Sequence, residues 1–124
     1  MSKQSIKLIF ITITIIAMFG IFKNMFAQEN NSQLIEAIKY GAFLVDVRTP
    51  EEFSAGSAKG AVNIPLDKVS SQLQKFKGKK SIVVFCRSGN RSARAKSILE
   101  QNSFQNVING GTWEDVQGVI NLVR

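Results

Sequence analysis

The chain has 124 residues, enough for one domain and not two, and its 44% hydrophobic and 20% charged residues are ordinary proportions for a globular fold. It contains no histidine, which excludes Ser-His-Asp and Cys-His catalysis and every zinc site that needs a histidine ligand. The single cysteine, Cys86, excludes an internal disulfide and a thiolate metal cluster, so we expect neither a metal nor a cofactor.

The formal net charge of +7 belongs in part to the N-terminal segment, because three lysines and no acidic residue fall within residues 1–27. The mild positive charge of the remaining chain favours small anions or an acidic partner. No basic run is interleaved with aromatic residues, so we expect no nucleic-acid partner.

Residues 8–22 are uncharged and mostly apolar, Lys3 and Lys7 precede them, and Ala27 is a suitable last residue before a cleavage site. A basic start, an apolar middle and a small residue at the cut are typical of a secretory signal peptide. We therefore predict a signal peptide over residues 1–27 and a periplasmic or secreted protein.

The alternative for this segment is an uncleaved membrane anchor that holds the domain outside the cytoplasm. A spanning helix needs about 20 apolar residues, so the segment crosses a bilayer only if it continues past Lys23 to Ala27. A buried core helix is disfavoured, because Thr12, Thr14 and Gly20 do not confine polarity to one face. A membrane partner is therefore expected only if the segment is not cleaved.

Beyond a short polar linker, helix-capping residues alternate with apolar, β-branched runs. In chain order the pattern predicts a helix from Asn31 or Ser32 to Gly41, a strand over 42–47, a helix capped by Thr49 and ending at Gly56, a strand over 61–64, a helix capped by Asp67 and ending at Gly78, a strand over 81–85, a helix from about Ser92, a strand over 106–109 followed by a turn at Gly110 and Gly111, and a helix capped by Thr112. Strands that alternate with helices predict an α/β fold with a mostly parallel sheet.

Cys86 follows the strongest predicted strand, at the edge of the sheet where such folds bind ligands. The Ser, Gly and Asn residues of the next loop tolerate tight backbone, so the loop can turn its N–H groups inward as an anion nest. A helix dipole and the charges of Arg87 and Arg91 add positive potential. All three effects favour the nucleophilic thiolate form of Cys86. The alternative is a buried, inert cysteine with both arginines on a solvated helix face.

Four segments, over residues 44–53, 60–65, 86–91 and 106–113, resemble the rhodanese-like domains and occur in that family's order. The resemblance covers nearly all of residues 32–124. Within the family, the chain is similar to the short exported single-domain members. It implies an α/β domain over 32–124 whose mostly parallel central sheet has helices on both faces. It also implies sulfurtransferase chemistry, in which a cysteine takes a sulfane sulfur from a small anionic donor such as thiosulfate, holds it as a persulfide and passes it to a thiol or cyanide.

The resemblance also implies roles for individual residues. Cys86 is expected to carry the sulfur, within a substrate-binding cradle formed by Arg87, Ser88, Gly89, Asn90 and Arg91. Asp46 and Arg48 are expected to support the site through polar contacts under this loop, although a simple ion pair between Arg48 and Glu52 is an equally good interpretation. Trp113 is expected to belong to the core.

This chain departs from the family pattern at one position, where Gly56-Ser57-Ala58 stands in place of the usual Gly-His-Ile. The histidine of that pattern is not the nucleophile, so the chemistry is expected to survive. We expect this chain to differ from the family in local packing and at the rim of the site.

Two other functions remain open at the level of the sequence. A cysteine loop followed by arginine also binds oxyanions in phosphatases and arsenate reductases, but those enzymes generally have one residue more than the four between Cys86 and Arg91. The other alternative is a non-catalytic interaction domain that keeps only the fold.

The N-terminal segment yields a direct prediction. Material from a cell envelope should begin near Gln28, because cleavage after Ala27 removes the apolar segment. N-terminal sequencing measures this start. Full-length protein in the membrane fraction would favour the anchor, and full-length soluble cytoplasmic protein would contradict export.

Overall fold

The computed structural model describes residues 31–124, and the predicted signal peptide lies outside them. The elements are, in order, α1 (residues 31–39), β1 (Phe43–Asp46), α2 (Pro50–Ser54), β2 (Val62–Asn63), two 3-10 helical segments (Leu66–Ser71 and Leu73–Phe76), β3 (Ile82–Cys86), α3 (Asn90–Gln101), β4 (Val107–Thr112) and α4 (Trp113–Val123). The strands form a parallel sheet in the order β2-β1-β3-β4, which confirms the predicted α/β fold. None of the helices in the described residues is long and apolar enough to cross a membrane.

β3 is buried on both faces because it lies inside the sheet and its side chains alternate between two cores. Val84 and Cys86 face one core, which α3 and the 3-10 segments cover, and Phe85 faces the other, which α1 and α4 cover. Helices therefore lie on both faces of the sheet, as predicted. The largest fully buried aliphatic and aromatic side chains of the two cores are Phe76, Phe85, Ile38, Ile64, Ile82 and Leu99.

Two helix starts follow the capping chemistry predicted from the sequence. The Thr49 hydroxyl accepts the Glu52 N–H at 3.2 Å, and the Glu52 carboxylate accepts the Thr49 N–H at 3.2 Å, which completes a capping box at the start of α2. The Thr112 hydroxyl accepts the Asp115 N–H at 3.0 Å at the start of α4. These starts are local in origin, so the sequence predicts them well.

The prediction of a helix capped by Asp67 is wrong. The chain instead forms two 3-10 segments that break at Gln72, and the Asp67 side chain makes no capping hydrogen bond. Bonds between residues three apart, such as Gln72 N–H to the Val69 carbonyl at 3.2 Å, replace the α-helical pattern. Val69 and Phe76 are both fully buried, so packing of these side chains outweighs the helical periodicity of the sequence.

The turn expected at Gly110 and Gly111 is also wrong, because both glycines lie within β4. The strand keeps its pairing with β3 across an irregularity in register between Val84 and Cys86. A Cβ atom at Gly110 would lie 2.7 Å from Val116 Cγ2 and 2.9 Å from Val83 Cγ1. The glycine is therefore required by the close packing of α4 on the sheet.

This packing predicts that Gly110→Ala destabilises the fold by about 1–3 kcal/mol, the usual cost of overpacking a core. Gly118→Ala is the matched control, because Gly118 lies in α4 with open space around it. Alanine there should stabilise the helix by about 0.5–1 kcal/mol. Urea unfolding of both variants measures the difference, and equal stabilities would contradict the packing argument.

Candidate active site

Cys86 is the last residue of β3 and has no exposed surface. The chain then turns through Arg87 and Ser88, both exposed, to Gly89 at the start of α3. Gly89 has φ +93°, a left-handed conformation that a residue with a side chain adopts at a cost. The positive φ tightens the turn and brings the N–H of Gly89 back toward the cysteine that ended the strand.

The Cys86 sulfur is surrounded by hydrogen-bond donors from the loop and the first turn of α3. The Gly89 N–H donates to Sγ at 3.0 Å, and the Ser92 hydroxyl oxygen lies 3.5 Å from it. Burial raises the pKa of the Cys86 thiol. Hydrogen bonds from the Ser92 hydroxyl and from the N–H groups of the loop lower it by more than burial raises it, so the pKa lies below its ordinary value. The predicted anion nest is therefore present, and it is directed at the sulfur.

Ser92 and Asn109 also contact the site, although the sequence did not predict either of them there. The Ser92 hydroxyl contacts Asn109 Oδ1 at 2.7 Å, and Asn109 Nδ2 donates to the Gly89 carbonyl at 3.2 Å. Ser92 directly follows the cysteine loop, so its proximity to the site was a signal within the sequence. Asn109 offered none, because only the pairing of β4 with β3 brings it beside the loop.

Arg91 forms a two-pronged ion pair with Glu52 of α2, at 2.7 Å and 3.0 Å. Its charge is therefore partly neutralised by a carboxylate. Arg91 still attracts the Cys86 thiolate, but the main support of that thiolate comes from neutral donors. The Arg91 guanidinium lowers the pKa of the Glu52 carboxyl from its ordinary 4.5 to about 2. The pair joins α2 to the first turn of α3.

The expected ion pair between Arg48 and Glu52 is wrong, because Arg48 pairs with Asp46. Arg48 Nη2 lies 2.7 Å from Asp46 Oδ2, and its Nε lies 3.0 Å from both carboxylate oxygens. Arg48 also donates to the Gly56 carbonyl at 2.6 Å. Both side chains are buried, and these hydrogen bonds replace hydration that the two charges lose.

Asp46 and Arg48 do not make the expected polar contacts under the cysteine loop. Asp46 is paired with Phe85 in the β1–β3 ladder, so its side chain lies on the Phe85 face, opposite the face that bears Cys86. Within residues 31–124, no hydrogen bond joins either side chain to the loop. The pair instead supports the neighbouring strand end.

Ser57, at the position where the family pattern has histidine, donates its hydroxyl proton to Asp46 Oδ2 at 2.7 Å. The serine is thus part of the buried network around Asp46 and Arg48. The Arg48 guanidinium also lies over the Trp113 ring, 5.6 Å from its centroid. Trp113 is half-buried and packs against the core on that face, as expected.

The Arg91–Glu52 pair predicts a stability difference that depends on pH. Glu52→Gln keeps a capping residue but removes the ion pair, and should cost about 0.5–1 kcal/mol, the usual range for a partly exposed pair. Because the folded-state pKa of Glu52 is lowered, this stability is fully present above about pH 4.5 and is lost as the pH falls toward about 2.

Urea unfolding of the wild type and the variant between neutral pH and pH 2 measures this dependence. Glu51→Gln, at the adjacent exposed position, removes the same charge without an ion pair among the described residues and is the control. A Glu52→Gln difference that stays constant down to the lowest pH would contradict the ion-pair contribution.

Comparison with known proteins places this geometry in a family. The sequence matches the family described as the rhodanese-like domain over residues 27–114. It is 34% identical over 74 residues to thiosulfate sulfurtransferase PspE of Escherichia coli (strain K12). The match covers 58% of this chain and 71% of that protein. A sulfurtransferase of Allochromatium vinosum is 33% identical over 66 residues, 53% of this chain and 62% of that protein, so the match spans less than two thirds of that relative.

The structure of a rhodanese with anions from E. coli has a TM-score of 0.56 to this chain at 32% identity, over 60% of this chain and 91% of the other. The match to the family over residues 27–114 and the similarity to this solved structure therefore agree. The chain belongs to the rhodanese-like domain family.

Proposed function

We propose that this domain takes a sulfane sulfur from a small anion such as thiosulfate onto Cys86, as a persulfide, and transfers it to a thiol or cyanide acceptor. The observation that carries the proposal is the 3.0 Å hydrogen bond from the Gly89 N–H to the Cys86 sulfur. A sulfur atom that receives such a bond is better stabilised as a thiolate, which is the nucleophilic form. Sulfurtransferases among the relatives support the same class of reaction.

In the loading step, the Cys86 thiolate attacks the outer sulfur of thiosulfate. A new S–S bond forms at Sγ, the S–S bond of thiosulfate breaks, and sulfite leaves with the electron pair. The Ser92 hydroxyl and the Gly89 N–H at Sγ lower the pKa of the Cys86 thiol, so the thiolate forms more readily without a base. This suits a chain that contains no histidine.

In the discharge step, the acceptor attacks the outer sulfur of the persulfide. The bond between the two sulfurs breaks, and Cys86 leaves as a thiolate with the electron pair. A thiol acceptor becomes a persulfide, and cyanide becomes thiocyanate. The two steps return Cys86 to its starting state, and the sulfur and charge balance without an external oxidant or reductant.

The loop residues Arg87, Ser88, Gly89, Asn90 and Arg91 are proposed to cradle the outer sulfur and the incoming anion. Backbone N–H groups arranged as a nest stabilise negative charge near a persulfide. Arg87 is exposed and forms no ion pair within residues 31–124, so it is the cation available to a small anion at the loop. Arg91 acts through its ion pair with Glu52, which holds the first turn of α3.

Access to the sulfur requires movement of the loop. Cys86 has no exposed surface, and the exposed residues Arg87 and Ser88 lie directly beyond it. A small donor reaches Sγ only when this segment opens locally. The four residues between Cys86 and Arg91 favour a single added sulfur over a phosphoryl group, whose peripheral oxygens need a wider ring of donors.

Export from the cytoplasm is proposed from the sequence of residues 1–27 alone. A periplasmic or secreted domain would meet its donor and acceptor outside the cytoplasm. The membrane-anchored alternative places the domain on the same side of the membrane, so both arrangements suit the same chemistry.

Treatment of the purified protein with thiosulfate should add one sulfur to the wild type and none to Cys86→Ser, because the chain contains no other thiol. Intact-mass spectrometry measures the addition, and circular dichroism checks that the variant keeps its fold. Cyanide should then remove the sulfur from the wild type as thiocyanate.

Aryl phosphates separate the proposal from the oxyanion-hydrolysing alternative. The wild type should hydrolyse them negligibly, and a wild type that hydrolyses them efficiently without loading sulfur would overturn the assignment. A wild type that does neither would favour the non-catalytic interaction domain. Sulfur found on Cys86→Ser would show that Cys86 is not the carrier.

A further inference from the structure

The Ser92 hydroxyl has a single proton to donate and three acceptors within reach. Its oxygen lies 3.5 Å from Cys86 Sγ, 3.0 Å from the Gly89 carbonyl oxygen and 2.7 Å from Asn109 Oδ1. Ser92 is fully buried, so these groups are its immediate partners. The Gly89 carbonyl already accepts the Ala93 N–H at 3.0 Å and Asn109 Nδ2 at 3.2 Å. The sulfur and the amide oxygen are therefore the acceptors that compete for the Ser92 hydroxyl.

The orientation of the Asn109 amide is set by its other partners. The Gly111 N–H donates to Oδ1 at 3.0 Å, and Nδ2 donates to the Gly89 carbonyl at 3.2 Å. The reverse orientation would set the NH₂ group against the Gly111 N–H and the amide oxygen against the Gly89 carbonyl. Asn109 thus presents an acceptor to Ser92 and never a donor.

In two arrangements of the Ser92 proton, each of these groups keeps a hydrogen-bond partner. When Cys86 is a thiol, its S–H donates to Ser92 and the Ser92 hydroxyl donates to Asn109 Oδ1. When Cys86 is a thiolate, the hydroxyl turns to Sγ. Oδ1 then keeps the Gly111 N–H and the Gly89 carbonyl keeps Asn109 Nδ2, so neither acceptor loses its last donor.

We propose that Asn109 is a positioning residue for sulfur discharge. Asn109 Oδ1 accepts the hydrogen bond of the Ser92 hydroxyl while Cys86 carries the persulfide. When Cys86 leaves as a thiolate, the hydroxyl turns from Oδ1 and donates to Sγ. This rests on the proposed function, since discharge breaks the bond between Sγ and the outer sulfur and places the electron pair on Sγ. In the persulfide the charge lies on the outer sulfur, so Sγ has little attraction for the hydroxyl and Asn109 retains it. The competition sets how readily Cys86 becomes a thiolate.

The charged groups around Cys86 are the same in both arrangements. They are Arg87, which is exposed, Arg91 of α3 paired with Glu52 of α2, Asp46 of β1 paired with Arg48, and Asp115 of α4, which lies beside Gly111. Removing the Ser92 hydroxyl or the Asn109 amide changes none of these charges. A change in the titration of Cys86 in such variants therefore reports the hydrogen bond.

The test is a titration of the thiolate by its ultraviolet absorbance, with Cys86→Ser as the blank. This readout needs neither access to the buried sulfur nor a sulfur donor. Asn109→Ala should increase the thiolate fraction measured at a pH below the wild-type midpoint. The expected increase is about three- to tenfold, which corresponds to the free energy of one hydrogen bond. Ser92→Ala should decrease it by a similar factor, because the thiolate loses a donor.

The double variant Ser92→Ala/Asn109→Ala should titrate like Ser92→Ala, because Asn109 acts through the Ser92 proton. Asn106→Ala is the matched control: Asn106 directly precedes β4, and its side-chain amide donates to the Lys79 and Lys80 carbonyls, away from Cys86. It should leave the titration unchanged. The proposal would be overturned if the midpoint of Asn109→Ala stays unchanged or moves to higher pH. It would also be overturned if the effect of Asn109→Ala persists in the double variant, which lacks the Ser92 hydroxyl.

Two further measurements keep the outcomes distinct. If a variant does not fold, the wild type still tests the inference, since the Gly111 amide resonance should titrate with Cys86 as the Ser92 proton leaves Asn109 Oδ1; a flat resonance would overturn it. Wild type that loads sulfur but fails the titration test would overturn the role of Asn109 alone. Protein that passes the titration test but loads no sulfur would overturn the proposed function and the role in discharge, and would leave only the competition for the Ser92 proton.

Discussion

The position of Cys86 depends on the pairing of β3 along both of its edges. β1 and β4 hydrogen-bond to β3, and both faces of β3 are buried. A strand constrained in this way has little freedom to shift, so the sulfur at its end has a defined place. The loop and α3 then close around a fixed atom, and their N–H groups meet it without a large rearrangement.

The electrostatics of the site come mainly from neutral donors. The pKa of Cys86 is lowered by a hydroxyl and by backbone N–H groups against the opposing effect of burial. Neither arginine is among the main causes of this lowered pKa, since Arg91 is held by Glu52 and Arg87 is exposed at the loop. Buried dipoles are screened by salt much less than exposed charges, so the lowered pKa of Cys86 is an internal property of the fold.

The departure from the family pattern at Ser57 has a structural explanation. A buried carboxylate needs donors for its oxygens, and Asp46 receives them from Arg48 and from the Ser57 hydroxyl. Serine therefore supplies a hydrogen bond at this position without a titrating group. The network lies on the face of the sheet opposite Cys86, which is consistent with support of the strand end and not with chemistry.

The sequence alone determined the alternation of strands and helices, the capped starts of α2 and α4, and the identity of Cys86 and its loop. These features depend on local hydrophobic periodicity, on side chains that bond to neighbouring backbone, and on a residue type that occurs once. Only the tertiary structure decided the 3-10 segments around Val69 and Phe76, the strand through Gly110 and the partners of Arg48 and Arg91. It also brought Asn109 to Ser92. Each of these depends on contacts between residues far apart in the chain, whose free energy exceeds local preference and leaves no periodic signal.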